Sequence, residues 1–126
     1  MNIYGVDWSK GEENLTEDDY NLIISEASKV ISENTAEKRD IAIAYSFRGN
    51  AYQHMGKLQE AISDYTLAIE LLPDNRSAYY NRGGAYFDLK NYSEALYNFS
   101  KALEIDPTDR SALNWVNQLT EYLKTI

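Results

Sequence analysis

His54 is the only imidazole in the chain, and no cysteine exists to stand beside it. A general base needs a nucleophile or carboxylate in hydrogen-bond reach, and a metal needs several donors converging on one point. His54 sits next to a turn with neither, so it reads as a solvated side chain. Carboxylates crowd the stretch from Glu12 to Asp19, but without the alternating ligands and glycine of a calcium loop. No P-loop, no Gly-rich phosphate cradle and no Ser/His/Asp set with supporting context appears. Catalysis is not expected, nor is a cofactor or a metal. The chemistry left is that of recognition. The chain has 11 Tyr, 3 Phe and 2 Trp, rings that supply contact area and often a polar handle.

Charge narrows the partner. Of the net −8, residues 1–19 hold six acids against Lys10, a net of −5, which leaves −3 for the other 107 residues. A phosphate-backbone binder needs clustered Lys and Arg, so nucleic acid is not expected. No apolar run approaches the roughly 18 residues of a membrane span, and the start MNIYGVDWSKG lacks the pattern of a secretory signal. Zero cysteines fit a reducing compartment, and a cytoplasmic location is the expectation.

The elements that position these residues come from a repeat. Gly49, Ala51, Tyr52, Ala61, Ala68 and Pro73 recur 34 residues later as Gly83, Ala85, Tyr86, Ala95, Ala102 and Pro107. Between 42–75 and 76–109, 11 of 34 positions are identical with no insertion or deletion. In each copy Tyr45/Gly49/Tyr52 and Tyr79/Gly83/Tyr86 share one helix face, as do Ala61/Tyr65/Ala68 and Ala95/Phe99/Ala102. Small residues at Gly49/Gly83 and Ala61/Ala95 let two backbones approach, and the spacing predicts an antiparallel helical hairpin. Gly56 suits a left-handed C-cap, Asn91 with Glu94 a capping box, and Asp74/Asn75 and Thr108/Asp109 the caps of following helices.

The pattern Tyr-x3-Gly-x2-Tyr, Ala-x3-Tyr/Phe-x2-Ala, then Pro, at this period, resembles the tetratricopeptide repeat (TPR) over residues 42–109. The resemblance implies an all-α, TPR-type α-solenoid of about six antiparallel helices in three stacked hairpins. Departures are Arg48 and Arg82 where Leu is commonest, Lys90 for a turn Gly, and Lys57 for a usual N-cap. Upstream, residues 17–33 resemble the second helix of a preceding repeat, started by Thr16 with Asp19 reaching back and Leu15 set against Tyr20. The register lapses at Asn34 and Arg39, and a long helix from about Ala36 to Met55 is expected. Downstream, residues 110–124 form a capping helix. Its edge of Ala112, Leu113, Val116, Leu119 and Leu123 should cover the last hairpin, with Trp115 and Tyr122 left over. Residues 1–15 are expected as a flexible tail, with Trp8 folding back onto the open end or into the groove as the alternative, and residues 16–126 as one TPR domain.

The same resemblance implies that the first helix of each repeat lines a concave groove. Its candidate partner-binding residues are Phe47, Asn50, Tyr80, Asn81, Phe87, Trp115 and Tyr122, a neutral face of amides and rings. One TPR subclass grips a C-terminal carboxylate with two Asn and three basic residues. Here Asn50 and Asn81 match, but Ser46, Ser111 and Trp115 stand at the basic positions, which argues against that chemistry. The expected function is a protein–protein interaction module holding a peptide or protein in the groove. The alternative is structural, a homo-oligomer formed through the exposed terminal helix.

Overall fold

The computed structural model describes residues 2–33 and 36–126. Six helices follow one another: α1 (Glu17–Glu33), α2 (Lys38–His54), α3 (Leu58–Leu71), α4 (Arg76–Asp88), α5 (Tyr92–Ile105) and α6 (Arg110–Lys124). Each packs mainly on its neighbours in sequence, as a stack of repeats requires. The two copies of the period form the hairpins α2–α3 and α4–α5, with α1 and α6 packed on their outer sides. Asn34, where the register lapses, lies outside the described residues. The helix expected from about Ala36 begins at Lys38 and ends at His54.

The repeated small residues make the close approach. Ala51, Ala61, Ala68, Ala78, Ala85, Ala95 and Ala102 are all at most 1% exposed. Tyr65 and Phe99, the largest buried rings, lie against the glycines of the facing helices. A Cβ on Gly49 would stand 2.8 Å from Tyr65 Cε1, and one on Gly83 would stand 3.1 Å from Phe99 Cδ1. The ring that fills the hairpin therefore excludes a side chain at Gly49 and crowds one at Gly83.

Helix starts and stops follow side-chain chemistry. The Thr16 amide donates to Asp19 Oδ2 at 2.9 Å while the Asp19 amide donates to Thr16 Oγ1 at 3.2 Å, a reciprocal cap on α1. Asn75 and Asp109 accept from the amides of Ala78 and Ala112, each at 3.1 Å. Asn91 departs from expectation: its side chain makes no capping bond, and only its carbonyl joins α5, accepting from Ala95. Gly56 ends the first turn at φ 77°, and Lys90 holds the equivalent left-handed turn at φ 62° without glycine. Lys90 thus carries backbone strain that Gly56 does not.

The two departures from the repeat pattern, Arg48 and Arg82, are cross-ties. Arg48 donates to both carboxylate oxygens of buried Asp64 at 2.8 Å and to Ser28 Oγ on α1 at 3.0 Å. Arg82 donates to Asn98 Oδ1 at 2.7 Å and to Thr66 Oγ1 on α3 at 3.1 Å. Each arginine joins its own hairpin to the helix before it.

Residues 2–15 pack on this stack, where the sequence reading expected a flexible tail. Asn2–Ile3 (β1) pairs antiparallel with Val6–Asp7 (β2), and two short 3-10 turns follow at Trp8–Lys10 and Glu12–Asn14. Tyr4 takes φ 56° and Gly5 φ 76° at the hairpin turn. Val6 is 1% exposed and forms a cluster with Ile23 of α1 and Ala51 of α2, against which Tyr4, Trp8, Leu15, Tyr20 and Phe47 pack. Lys10 pairs with Asp19, joining the segment to the cap of α1. The alternative in which Trp8 folds back matches this packing, because an uncovered Ile23–Ala51–Phe47 face favours burial.

Candidate functional site

The first helices α2, α4 and α6 line several cavities. One, of about 480 Å³, lies between Arg39 and Ile43 of α2, Leu72, and Asp74, Asn75, Arg76 and Ser77 at the start of α4. Three others concern the candidate residues. The central one, of about 440 Å³, is lined by Glu12, Asn50, Gln53, His54, Asn81 and Asp88. To one side, a cleft of about 360 Å³ lies between α4, α5 and α6, walled by Phe87, Tyr92, Trp115, Gln118, Leu119 and Tyr122. To the other, an apolar cavity of about 390 Å³ runs under the N-terminal segment past Trp8, Leu15, Ile23 and Phe47.

The central cavity is polar because α2 and α4 turn amides toward it. Asn50 Oδ1 and Gln53 Oε1 lie 2.5 Å and 2.8 Å from the Tyr65 hydroxyl. Burial, reinforced by Asp64, pushes that phenol well above the ordinary tyrosine range, so it keeps its proton. Asn81 on α4 is partly exposed, with an amide free to donate and accept. His54 lies flat on Tyr20, ring centroids 5.0 Å apart, and its Nε2 is 3.9 Å from Glu12 Oε1.

The cleft is built from rings at varied angles. Phe87 meets Trp115 at 4.7 Å and Tyr92 at 5.4 Å, and Tyr92 meets Tyr122 edge-on at 5.1 Å. Trp115 also stacks on buried Phe99 at 5.2 Å, so it is part floor of the cleft and part core. Tyr122 is 46% exposed.

The seven candidate residues thus fall into three groups. Asn50 and Asn81 line the central cavity, and Phe87, Trp115 and Tyr122 line the cleft. Phe47 is covered by Tyr4 at 5.0 Å and Trp8 at 5.7 Å, while Tyr80 packs edge-on against Phe99 at 5.2 Å. On α6 the covered edge is rotated from expectation: Trp115 joins the core cluster with Val116 and Leu119, and Leu113 is 42% exposed. The Phe99 ring draws the indole inward, which aliphatic spacing alone did not show. Gln53, Asp88 and Gln118 lie on first helices beside the candidates, but Tyr92 and Glu12 lie outside those helices. Tyr92 occupies the position of Leu58 in the other copy, a substitution of a ring for an aliphatic at the mouth of the cleft. Glu12 is brought in only by the folding of the N-terminal segment. Among the described residues no group of three or more His, Asp or Glu is placed to hold a metal, and no helix is long and apolar enough to cross a membrane.

Stacked helical hairpins with one lined face define a helical-repeat interaction scaffold. The tetratricopeptide repeat family model matches residues 42–75 and 77–109, and the chain belongs to that family. Solved structures agree over most of the length. The first TPR of Spaghetti (RPAP3), bound to the HSP90 peptide SRMEEVD, is 26% identical with a TM-score of 0.77, covering 91% of this chain and 88% of that one. The Arabidopsis OM64 TPR domain is 28% identical at a TM-score of 0.74, covering 82% and 83%. The second TPR domain of human RPAP3, in complex with the HSP70 peptide SGPTIEEVD, is 27% identical at 0.72, also covering 82% and 83%. A search of curated proteins returns no significant match.

Proposed function

We propose that this protein-interaction module holds an extended peptide segment of a partner protein along the face of α2, α4 and α6. The observation that carries the reading is that consecutive residues of α4 line the two cavities: Phe87 the aromatic cleft and Asp88 the amide-lined central cavity. Amides suit the main chain of an extended peptide, which offers donors and acceptors in alternation. The cleft offers an anchor pocket of the kind that dominates interface energies. Two of the similar TPR structures hold short peptides, which supports a peptide as the ligand class. The chemistry of the grip differs, since Ser46, Ser111 and Trp115 stand where a carboxylate clamp needs cations. The lack of cysteine supports a reducing compartment such as the cytoplasm.

The test is co-purification of partners from the source cell with the full chain and with an Asn81→Ala/Tyr122→Ala variant. Both side chains are at least partly exposed, so the variant should keep the wild-type melting temperature and lose its partners. Partners retained in full would sink the groove reading. Self-association is favoured by one observation, the exposure of Leu113 and Tyr122 on α6 (42% and 46%). Sedimentation at micromolar concentration separates the two: a monomer removes the oligomer.

A further inference from the structure

The lining of these cavities also selects the charge of the ligand. Around the central cavity the ionisable side chains are Glu12, His54 and Asp88, and around the cleft only the two tyrosines. Neither is lined by lysine or arginine; Arg39 and Arg76 line the separate cavity at the start of α2 and α4, where Arg76 is paired with Asp109 at 2.7 Å. His54 already faces Glu12 at 3.9 Å and stacks on Tyr20, and among the described residues no ion pair reaches Asp88. Lys57 and Lys90 follow in the turns but line neither cavity, and Lys124 near the end of α6 is paired with Glu121 at 3.1 Å. The rings of the cleft have no cation over them among the described residues. The Arg and Lys side chains that sit on rings use Tyr45, Tyr52, Tyr79 and Tyr97.

From this we infer that the groove takes a cationic peptide, with one arginine or lysine side chain against the faces of Trp115 and Tyr122 and a second basic group toward Asp88 and Glu12. The inference rests on the reading of this face as a peptide site and deepens it. Ring faces attract a guanidinium through their quadrupole, and two carboxylates beside the path add attraction for a base and repulsion for an acid. An acidic tail such as those held by the similar structures would place its carboxylates against Glu12 and Asp88 with no cation to receive them. The preferred sequence carries basic residues around an aromatic or aliphatic one and needs no free C-terminus.

The experiment titrates the full ¹⁵N-labelled chain with three acetylated, amidated hexapeptides, Gly-Ser-X-Tyr-X-Ser, in which X is arginine, serine or glutamate. Amide shifts read both site and affinity. The arginine peptide should bind about tenfold more tightly than the serine peptide, two modest charge contacts each giving a few-fold, with shifts at Asn81, Asp88 and Tyr122. The glutamate peptide should be weaker than either. Glu12→Gln with Asp88→Asn should cut the preference for the arginine over the serine peptide to under about threefold. Equal binding of all three peptides at the groove would overturn the charge inference and leave the groove reading standing. Stronger binding of the glutamate peptide would overturn it too. Shifts confined to the outer face, or none with any peptide, would end both.

Discussion

Tyr65, buried inside the α2–α3 hairpin, reaches Asn50 at 2.5 Å and Gln53 at 2.8 Å with a single hydroxyl. One phenol has one proton. It can donate to only one amide oxygen, so the other amide must turn its nitrogen toward the phenol and donate to it. The core ring thereby fixes two amides of the central cavity and ties hairpin packing to the shape of the binding face. Tyr65→Phe keeps the ring and removes the tie, giving copy one the residue that copy two carries at Phe99. Its expected cost is about 1 kcal/mol, since both amides can turn to water. NMR should show Asn50 and Gln53 side-chain amides shifted and broadened, and unchanged amide signals would contradict the link.

The glycines of the repeat are not equivalent. Alanine is the better helix former by about 1 kcal/mol, but overpacking costs about 1–3 kcal/mol. At Gly49 the new Cβ meets the Tyr65 ring at 2.8 Å, at Gly83 it meets the Phe99 ring at 3.1 Å, and at Gly84 it meets a single atom, the Gln53 side-chain nitrogen at 3.2 Å. Thermal melts should therefore rank Gly49→Ala as most destabilising, Gly83→Ala as intermediate, and Gly84→Ala as neutral or stabilising.

The N-terminal segment should contribute to stability. Val6 is 1% exposed against Ile23 and Ala51. Val6→Ala is expected to cost about 2 kcal/mol, lowering the melting temperature by roughly 5–10 °C. Removal of residues 1–15 should lower it at least as far and expose Phe47. A truncated chain that melts with the wild type would refute this.

Acid should loosen the start of α1 first. The Lys10 ammonium, and after it the Thr16 amide, hold the Asp19 carboxyl below the ordinary carboxylate range. A carboxyl depressed in the folded state stabilises fully above its unfolded value of about 3.9, and that contribution is lost as pH falls through the lower folded value. Asp19 should therefore titrate below about 3.9 by carboxyl NMR, with the α1 N-terminal amides losing exchange protection over the same range. A midpoint at or above the unfolded value would contradict the cap.

How much was legible in the sequence follows from which forces are periodic. Gly49/Gly83 and Ala61/Ala95 mark where backbones meet, so the hairpins and their order could be read from a constant spacing. The cap at Thr16 was legible because it is local, and those of α4 and α6 to within a pair of residues (Asp74/Asn75, Thr108/Asp109), of which Asn75 and Asp109 make the bond. Asn91 was not, because a side chain with capping chemistry need not use it. The roles of Arg48 and Arg82 depend on Asp64, Asn98, Ser28 and Thr66 across helix interfaces, beyond any short-range pattern. The candidate site was legible as a face but not as an inventory. Phe47 and Tyr80 sit at groove positions, yet Tyr4, Trp8 and Phe99 cover or hold them. Glu12 reaches the cavity through a segment with no periodicity to announce its fold.

The central claim is that partners engage the face of α2, α4 and α6, and photo-crosslinking in the source cell tests it most directly. Benzoylphenylalanine would replace Tyr122, 46% exposed beside the cleft, or Tyr97, 51% exposed on α5 and outside the three cavities of that face. The account predicts a discrete heavier adduct from position 122, lost when Asn81→Ala is added, and none from position 97. An adduct from position 97 with none from 122 would contradict it.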